Sequence, residues 1–302
     1  MLIDWLCAET GLQRERLIAF AASASKRYFV FRIKKRDGSE RQIAHPAKPL
    51  KGIQRWLNSR VIKSWKVHDA ATAYQRGASI RLNALRHAET NFTLRVDFKD
   101  FFPSFQAKGI EKFISDQPNG GKKFDKVDLK FITDIITRNG RLTIGSPSSP
   151  FITNAMMYSF DEEVSLFCDA SGLVYTRYAD DIFVSSHNPG NLAQAYDFLC
   201  SAANKFPYAN LSINHNKTKF LSRKYRRTIT GIVITSDRKI SIGRPRKKEI
   251  KSLINSYIYG KLDDEKEMYL KGMVSFACDA DNVFFLSLEK KYGKKVMGRL
   301  IG

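Results

Sequence analysis

Residues 173–186 read LVYTRYADDIFVSS, with Asp180 and Asp181 side by side between two stretches of strand-forming residues. Aliphatic, aromatic and β-branched side chains on both sides of this pair predict two antiparallel strands joined by a tight bend. Paired aspartates at a turn are often only solvated loop residues. Here the flanking strands are apolar, so we expect both carboxylates to lie at the edge of a buried sheet.

A third aspartate ends an earlier strand. Residues 92–98 alternate between an apolar face and a polar face that carries Thr93, Arg95 and Asp97. If this strand joins the same sheet, three carboxylates converge, and such a cluster repels itself unless cations neutralise it. Hard carboxylate oxygens suit Mg²⁺, and two such ions can activate an attacking hydroxyl and stabilise a leaving pyrophosphate. The pattern therefore favours a metal site.

The charge balance indicates a polyanionic partner. The chain has 302 residues, with 51 Lys and Arg against 30 Asp and Glu, which gives a formal net charge of +21. Nucleic acid is the commonest partner of such a chain, a membrane surface is the rival, and solubility alone is the third explanation. With 43% hydrophobic residues the chain can bury a substantial core, which excludes wholesale disorder.

The cysteines and the apolar runs bear on location. The four cysteines are scattered and form no CxxC or Cys/His cluster, which argues against a zinc site and fits a reducing cytosol. The N-terminus lacks the basic region of a signal peptide, and the longest uncharged run, residues 142–160, holds two prolines and several polar residues. We therefore expect a cytoplasmic protein with no membrane partner.

Coarse patterns divide the rest of the chain. An Asp37-Gly38 pair between two alternating runs predicts a hairpin over residues 28–46. Helices are expected over residues 10–24 and 52–67, and a polar loop at 117–130. A boundary is expected near residue 238, followed by a helical unit with one helix opening at Pro245, one near 263–278 and one near 281–297.

Three segments together resemble motifs A, B and C of reverse transcriptases, in the same order and at similar spacing. They are Asp97 followed by FKDFFPSF, the run GSPSSP at 145–150 followed by Asn154, and RYADD at 177–181. Two further elements resemble bacterial retron reverse transcriptases in particular. They are NALRH at 83–87, which matches an NAxxH element, and Ile229-Thr230-Gly231, where that group usually has Val-Thr-Gly.

The resemblance implies an α+β fold of the right-hand polymerase type, with fingers, a palm built of an antiparallel sheet and helices, and a short helical thumb. It implies the following division: an N-terminal helical extension, 1–27; fingers, 28–91 with 116–145 inserted; palm, 92–115 and 146–237; thumb, 238–302.

The resemblance also implies a catalytic and metal-binding set. Asp97, Asp180 and Asp181 would hold two Mg²⁺ ions, with Mn²⁺ as a substitute, and the carbonyl of Phe98 would be a further ligand. Lys217 falls at the family's motif D lysine, a candidate general acid for the pyrophosphate, although Lys219 is close enough to be the alternative.

The dNTP-binding residues implied by the resemblance are Lys35, Arg41, Asp100, Phe101, Phe102, Gly145 and Lys217. Phe102 lies five positions after Asp97, where the family places an aromatic gate against a ribose 2′-OH; packing in the core beside Phe101 is the alternative. Gly145 would let the backbone approach the nucleotide closely. One departure is Ile144, because the family commonly has Gln before this glycine, which puts fine dNTP selection in doubt.

Two basic tracts, residues 217–227 and 238–251, predict contacts with a template–primer duplex or a structured RNA rather than a merely solvated face. Asn83 and His87 are expected to be architectural or to contact RNA. The RNA- and DNA-binding residues predicted in this way are Asn83, His87, Arg223, Lys224, Arg226, Arg227, Arg244, Arg246, Lys247 and Lys248.

Resemblance to retron enzymes implies RNA-templated DNA synthesis by two-metal nucleotidyl transfer. The template would be a cognate non-coding RNA, the primer the 2′-OH of a guanosine in it, and the product branched, RNA-linked single-stranded DNA (msDNA). Expected partners are dNTPs, host RNase H and a separate effector protein in antiphage defence. The alternatives are a group II intron-like reverse transcriptase, which would normally carry a maturase region, and a non-catalytic RNA-binding scaffold, which intact aspartates argue against.

Overall fold

The computed structural model describes residues 2–34, 38–117 and 124–301, which form helices and antiparallel strands. The strands are β1 Tyr28–Lys34, β2 Glu40–Pro46, β3 Phe92–Asp97, β4 Val174–Tyr178, β5 Asp181–Ser186, β6 Lys219–Ser222, β7 Arg227–Ile229, β8 Ile232–Ile234 and β9 Ile240–Ser241. The α-helices are α1 Leu2–Thr10, α2 Arg14–Ala22, α3 Lys48–Arg60, α4 Ile80–Arg86, α5 Phe101–Ser104, α6 Ala107–Asp116, α7 Lys126–Ile136, α8 Ser149–Met156, α9 Tyr158–Ala170, α10 Gly190–Lys205, α11 Arg244–Ile258, α12 Asp264–Ala280, α13 Asn282–Tyr292 and α14 Lys294–Ile301. None of these helices is both long and apolar enough to cross a bilayer.

The central sheet has four strands in the order β4-β5-β3-β6, all antiparallel to their neighbours. The predicted strand pair and the earlier strand are confirmed, and they are adjacent in the sheet. Helices α9 and α10 pack against it, and Leu94, Val96 and Val184 are fully buried in the main core. The polar face of β3 is not solvated as a whole, because Thr93 is also fully buried.

A separate hairpin of β1 and β2 carries Arg41, one of the two cations predicted to bind the dNTP. The strands pair from Tyr28 opposite Pro46 to Lys34 opposite Glu40, which confirms the hairpin. Gly38 has a φ of +82°, a turn conformation that suits glycine; Asp37 lies outside the described residues. The Ala44 amide donates to the Ile144 carbonyl at 2.8 Å, so β2 is joined to the loop before α8.

The C-terminal helices share a second core with a small sheet of β7, β8 and β9. Ile229, Ile232 and Ile242 pack with Ile250 and Leu270 in this core. The expected boundary at residue 238 therefore falls inside the small sheet, between β8 and β9. Ile residues before and after the boundary contribute to the same core, which the sequence pattern did not reveal.

Three predicted helices have different bounds. The helix expected over residues 10–24 is the shorter α2, Arg14–Ala22, and the preceding helix α1, which was not predicted, ends before Gly11, whose φ is +69°. The helix expected over 52–67 begins at Lys48 and ends at Arg60, and a short 3₁₀ turn follows. The last predicted helix is divided into α13 and α14 at Gly293, again with positive φ.

A buried chain of polar side chains joins α4 to the central sheet. The imidazole of His87 lies between the hydroxyls of Ser185 and Thr176, at 2.8 Å from each. Because Thr176 donates its own proton to Asn83 Oδ1 at 2.7 Å, it accepts from Nε2 of His87. Burial lowers the pKa of His87 to about 3, so the imidazole is neutral, with its proton on Nε2. Nδ1 then accepts from Ser185.

Arg227 completes this chain from the small sheet. Its guanidinium donates to Thr93 Oγ1 at 3.2 Å and to the backbone carbonyls of His87 and Thr90. Asn83 and His87 have no solvent exposure, and Arg227 is only 1% exposed. Asn83 and His87 are predicted to be architectural or to contact RNA, and Arg227 to contact nucleic acid. The burial of all three corrects the nucleic-acid contacts and favours the architectural alternative, in which they hold α4 and β7 against the central sheet.

The neutral His87 predicts a pH dependence of stability. Burial, followed by the nearby charges of Arg227 and Arg86, lowers the pKa of His87 to about 3. In the unfolded chain His87 takes up a proton near pH 6.5, so its stabilising contribution is complete above that pH and is lost as the pH falls toward 3. We expect this group to reduce the free energy of unfolding by about 2 kcal/mol between pH 7 and pH 5.

Urea denaturation of the wild type and of His87→Gln at both pH values measures this effect. The variant should lose about 2 kcal/mol less on acidification than the wild type does. His45→Gln, at an exposed position, is the matched control and should behave as the wild type. An unchanged pH dependence in His87→Gln would contradict the assignment of a neutral buried imidazole.

Candidate active site

The three predicted carboxylates meet where the two inner strands of the central sheet, β3 and β5, end and begin. Asp97, the last residue of β3, is the register partner of Asp181, the first residue of β5. Asp180 immediately precedes it, and its carbonyl accepts from the Phe98 amide at 3.2 Å. Ala179 has a φ of +56°, a left-handed conformation that turns the chain sharply before Asp180. Strand register and this bend together bring the carboxylates together.

A fully buried ion pair stabilises the bend at Ala179. Arg177 donates to both carboxylate oxygens of Asp161, at 2.8 and 2.6 Å, and neither side chain is exposed. The remaining nitrogen of Arg177 donates to the Ala179 carbonyl at 3.1 Å and to Asn154 Oδ1 at 3.2 Å. The basic residue of RYADD therefore fixes the backbone of the bend, and the sequence alone did not indicate its partner.

The carboxylates affect one another electrostatically. Burial, then the charges of Asp181 and Asp97, raise the pKa of Asp180 to about 6, and Arg41 opposes them. Burial also raises the pKa of Asp181, while Arg95 lowers it. A nearby cation favours the ionised form of carboxylates whose pKa is raised by burial and by neighbouring negative charges. The site therefore favours a cation beside Asp180.

Two protein cations already bind two of these carboxylates. Arg95 donates to Asp181 Oδ1 from Nε at 3.0 Å and from Nη2 at 2.8 Å. Lys217 Nζ lies 3.2 Å from Asp97 Oδ1. Of the two lysines left open by the sequence, the structure therefore brings Lys217 into contact with the site.

Arg95 was missed as a site residue. The signal was present in the alternation of β3, because Arg95 and Asp97 share one face of the strand two residues apart. Diagonal neighbours on one face of an antiparallel pair are within reach of long side chains. Arg95 thus reaches across to Asp181, and its guanidinium also lies 5.9 Å above the Phe183 ring.

The donor set fits a divalent metal ion. Asp97, Asp180 and Asp181 supply hard carboxylate oxygens, the ligands that Mg²⁺ prefers. Reverse transcriptases as a family use divalent ions. Among residues 2–34, 38–117 and 124–301, however, no three acidic, His or Cys side chains are already arranged around a common point. A metal ion would have to compete with Lys217 and Arg95.

Of the residues predicted to bind the dNTP, the structure brings some close to the carboxylates. Arg41 on β2 is exposed and acts electrostatically on Asp180, whereas Lys35 lies outside the described residues. Gly145 is exposed, with a φ of +108°. A Cβ there would lie 2.8 Å from the Ala44 carbonyl oxygen, so the absence of a side chain is explained by the close approach of β2.

The residues after Asp97 divide between surface and core. Asp100 is exposed and has a left-handed φ of +46° at the start of α5. Phe101 is only 4% exposed and stacks on Phe98, which corrects its prediction as a dNTP contact because it belongs to the core. Phe102 is partly exposed and packs edge-on against Phe101. This position of Phe102 is therefore compatible with both predicted roles, the gate against a ribose 2′-OH and packing in the core.

The other basic residues that were predicted to bind nucleic acid fall into an exposed group and a partly buried group. Arg223, Lys224, Arg226, Arg244 and Lys248 are exposed. Arg246 donates to the Gly231 carbonyl at 2.9 Å, and Lys247 lies 2.7 Å from Asp281 Oδ2. These last two are partly buried and stabilise the junction of α11 with the small sheet and α13. Their contact with nucleic acid stays a prediction.

Comparisons with known proteins agree with the site. Residues 33–253 match the family model described as reverse transcriptase (RNA-dependent DNA polymerase). The retron Ec83 reverse transcriptase of Escherichia coli is 35% identical, over 89% of this chain and 88% of its own length. The retron Ec73 reverse transcriptase of the same organism is 32% identical, over 87% and 86%.

Solved structures show the same fold. The telomerase of Candida tropicalis in complex with a fragment of telomeric RNA has a TM-score of 0.51 and 13% identity. The match covers 87% of this chain and 55% of the telomerase. Together with the antiparallel palm sheet, this likeness identifies a right-hand polymerase fold. The chain therefore belongs to the reverse transcriptase family, among the retron enzymes, and is an RNA-directed DNA polymerase with RNA as its template.

Proposed function

We propose that this enzyme synthesises DNA by two-metal nucleotidyl transfer at Asp97, Asp180 and Asp181. The observation that carries the proposal is the meeting of these carboxylates at one sheet edge, in register and with raised pKa values at Asp180 and Asp181. Bound Mg²⁺, or Mn²⁺ in its place, would activate the attacking hydroxyl and stabilise the leaving pyrophosphate. The Phe98 carbonyl is a further candidate ligand.

The chain's own residues would arrange the nucleotide. We assign the triphosphate to Lys35 and Arg41, because cations at transferring phosphates stabilise developing charge. Asp100 and Gly145, which are both exposed, are further candidates for contact with the nucleotide. Lys217 lies beside Asp97, where its ammonium group could give a proton to the departing pyrophosphate. The fingers, palm and thumb would follow the sequence division, with the small sheet joined to the thumb.

We further propose a retron reaction. The 2′-OH of a guanosine in a cognate non-coding RNA would attack the α-phosphate of the first dNTP. A 2′,5′-phosphodiester forms and pyrophosphate leaves, so that extension yields branched msDNA. Identity of 35% and 32% to two retron enzymes supports this assignment. The exposed cations at 223–226, Arg244 and Lys248 are candidates for holding the RNA–DNA duplex.

Partners complete the proposal. We expect host RNase H to trim the template and a separate effector protein to act with the msDNA in antiphage defence, in the cytoplasm. Group II intron-like activity is less favoured, because three curated relatives that match over 86–90% of their own length are retron enzymes. A non-catalytic scaffold is opposed by the three aspartates.

Replacement of Asp180 by Asn should reduce DNA synthesis at least about a hundredfold, because an amide removes the charge that a metal ion requires. Primer extension with Mg²⁺ and dNTPs measures the rate, and circular dichroism checks that the variant folds. Glu265→Gln, on the exposed surface of α12, is the control and should retain full activity. Undiminished synthesis by a folded Asp180→Asn enzyme would exclude this catalytic site.

Replacement of Phe102 by Val should weaken discrimination against ribonucleotides. A smaller side chain leaves room for a 2′-OH, and we expect the preference for dNTPs over rNTPs to fall by about tenfold to a hundredfold. Steady-state kinetics with dATP and ATP on one template measure the ratio. Phe220→Val, at an exposed ring on β6, is the control. An unchanged ratio would leave core packing as the role of Phe102.

The retron assignment predicts dependence on a cognate RNA. With the non-coding RNA encoded beside its gene, the protein should begin DNA synthesis without an added primer, and debranching enzyme should release the DNA from the RNA. A hairpin RNA of equal length and shuffled sequence is the control and should not be primed. Equal extension of any annealed primer, with no branched product from the cognate RNA, would refute this assignment.

A further inference from the structure

Tyr74 follows a segment whose backbone is fixed to the active-site strand. The Arg177 amide donates to the Ala70 carbonyl, and the Thr72 amide donates to the Arg177 carbonyl, both at 2.7 Å. Asn154 Nδ2 donates to the Ala73 carbonyl at 2.8 Å. Residues 70–73 are buried. The backbone that leads into Tyr74 therefore has little freedom to move.

The backbone of Tyr74 itself is strained. Its φ is +58°, in the left-handed region where a Cβ is crowded and where glycine is the favoured residue. The next residue, Gln75, donates from its side chain to the carbonyls of His68 and Ala71, which holds the turn from the other side. A bulky residue that keeps such a conformation marks a candidate functional position.

Packing does not explain why a tyrosine stands there. The side chain is exposed, with 49% of the residue's surface accessible. Its hydroxyl makes no hydrogen bond to any residue that the structure describes. A half-exposed ring on a strained backbone adds little to the stability of the fold, and its exposed face is available to a bound molecule.

The segment before Tyr74 is connected by hydrogen bonds to the bend that carries Asp180. Asn154, which binds Ala73, accepts from Arg177, and Arg177 in turn donates to the Ala179 carbonyl next to Asp180. The side chains of Asn154 and Arg177 thus connect the residue before Tyr74 to the bend at Ala179. Burial raises the pKa of its hydroxyl, the charges of Tyr178 and Asp180 add to this, and Arg41 opposes them. Tyr74 is therefore close enough to Asp180 and to Arg41 to interact electrostatically with both.

We infer that Tyr74 contacts the incoming nucleotide, with its ring against the sugar and base. The inference rests on the proposed function, in which the triphosphate binds near Arg41 and the reacting phosphate near Asp180; a nucleotide spanning these two residues passes Tyr74. Every base offers a π-face and every deoxyribose an apolar face, so an aromatic ring serves all four dNTPs alike. The fixed turn holds the ring in place before the nucleotide arrives, which lowers the entropy lost on binding.

Three variants separate a nucleotide contact from a structural role. Tyr74→Phe keeps the ring, Tyr74→Ala removes it, and Tyr74→Gly removes it and also relieves the backbone strain. We expect the KM for dNTP to rise about tenfold to a hundredfold in the Ala and Gly variants and to stay within about threefold in the Phe variant. The melting temperature of Tyr74→Gly should be no lower than that of the wild type.

Asn139→Gly is the matched control. Asn139 is also a non-glycine residue with positive φ, at +51°, and it is outside the proposed site. Relief of strain there should leave the KM for dNTP unchanged. Affinity for the template–primer, measured by fluorescence anisotropy, should be equal in all five proteins.

Equilibrium binding of the complementary dNTP to enzyme on a dideoxy-terminated primer tests the contact without any chemistry. The Ala and Gly variants should bind the dNTP about tenfold to a hundredfold more weakly. If the wild type binds dNTP but does not extend a primer, the proposed function fails while this contact stands. Wild-type dNTP affinity in Tyr74→Ala, or a loss confined to template–primer affinity, would overturn the inference alone.

Discussion

Repulsion between like charges is the constraint on which the rest of this structure depends. Three carboxylates lie together in one sheet, and the charges of Asp97 and Asp181 raise the pKa of Asp180. The register of β3 with β5 leaves Asp97 opposite Asp181, and the strained bend at Ala179 keeps Asp180 beside them. Arg95 and Lys217 offset part of this charge. A fold that holds these groups together must stabilise the bend by other means.

The buried pair of Arg177 and Asp161 supplies that support. Loss of one partner from such a pair typically costs about 3–5 kcal/mol, because it leaves an unpaired charge in the core. The same guanidinium holds the Ala179 carbonyl and Asn154, and Asn154 holds Ala73. Motif C, motif B and the segment before Tyr74 are thus joined by one set of hydrogen bonds. Displacement of any one of them would displace the others.

The net charge of +21 divides into cations with different roles. Some are structural: Arg227 is buried under the central sheet, and Lys247 binds Asp281 beside α13. Others, such as Arg244 and Lys248, remain exposed and available to a phosphate backbone. Charge counts from sequence treat both groups alike, since burial depends on residues far apart in the chain. His87 and Asn83 illustrate the same point for uncharged polar groups.

The sequence by itself determined the chemistry and the local elements. Alternation over residues 92–98, the strand-forming residues around Ala179-Asp180-Asp181 and the Asp37-Gly38 hairpin signal depend on near neighbours, so they can be read from a single chain, and the motifs place the family. Tertiary structure alone decided which polar residues are buried, where the small sheet joins the C-terminal helices, and that Arg95 reaches Asp181. It also decided that Tyr74 is strained beside the catalytic bend, because residues 70–73, which lead into it, bind Arg177 and Asn154, and Asn154 is 81 residues from Ala73 in sequence.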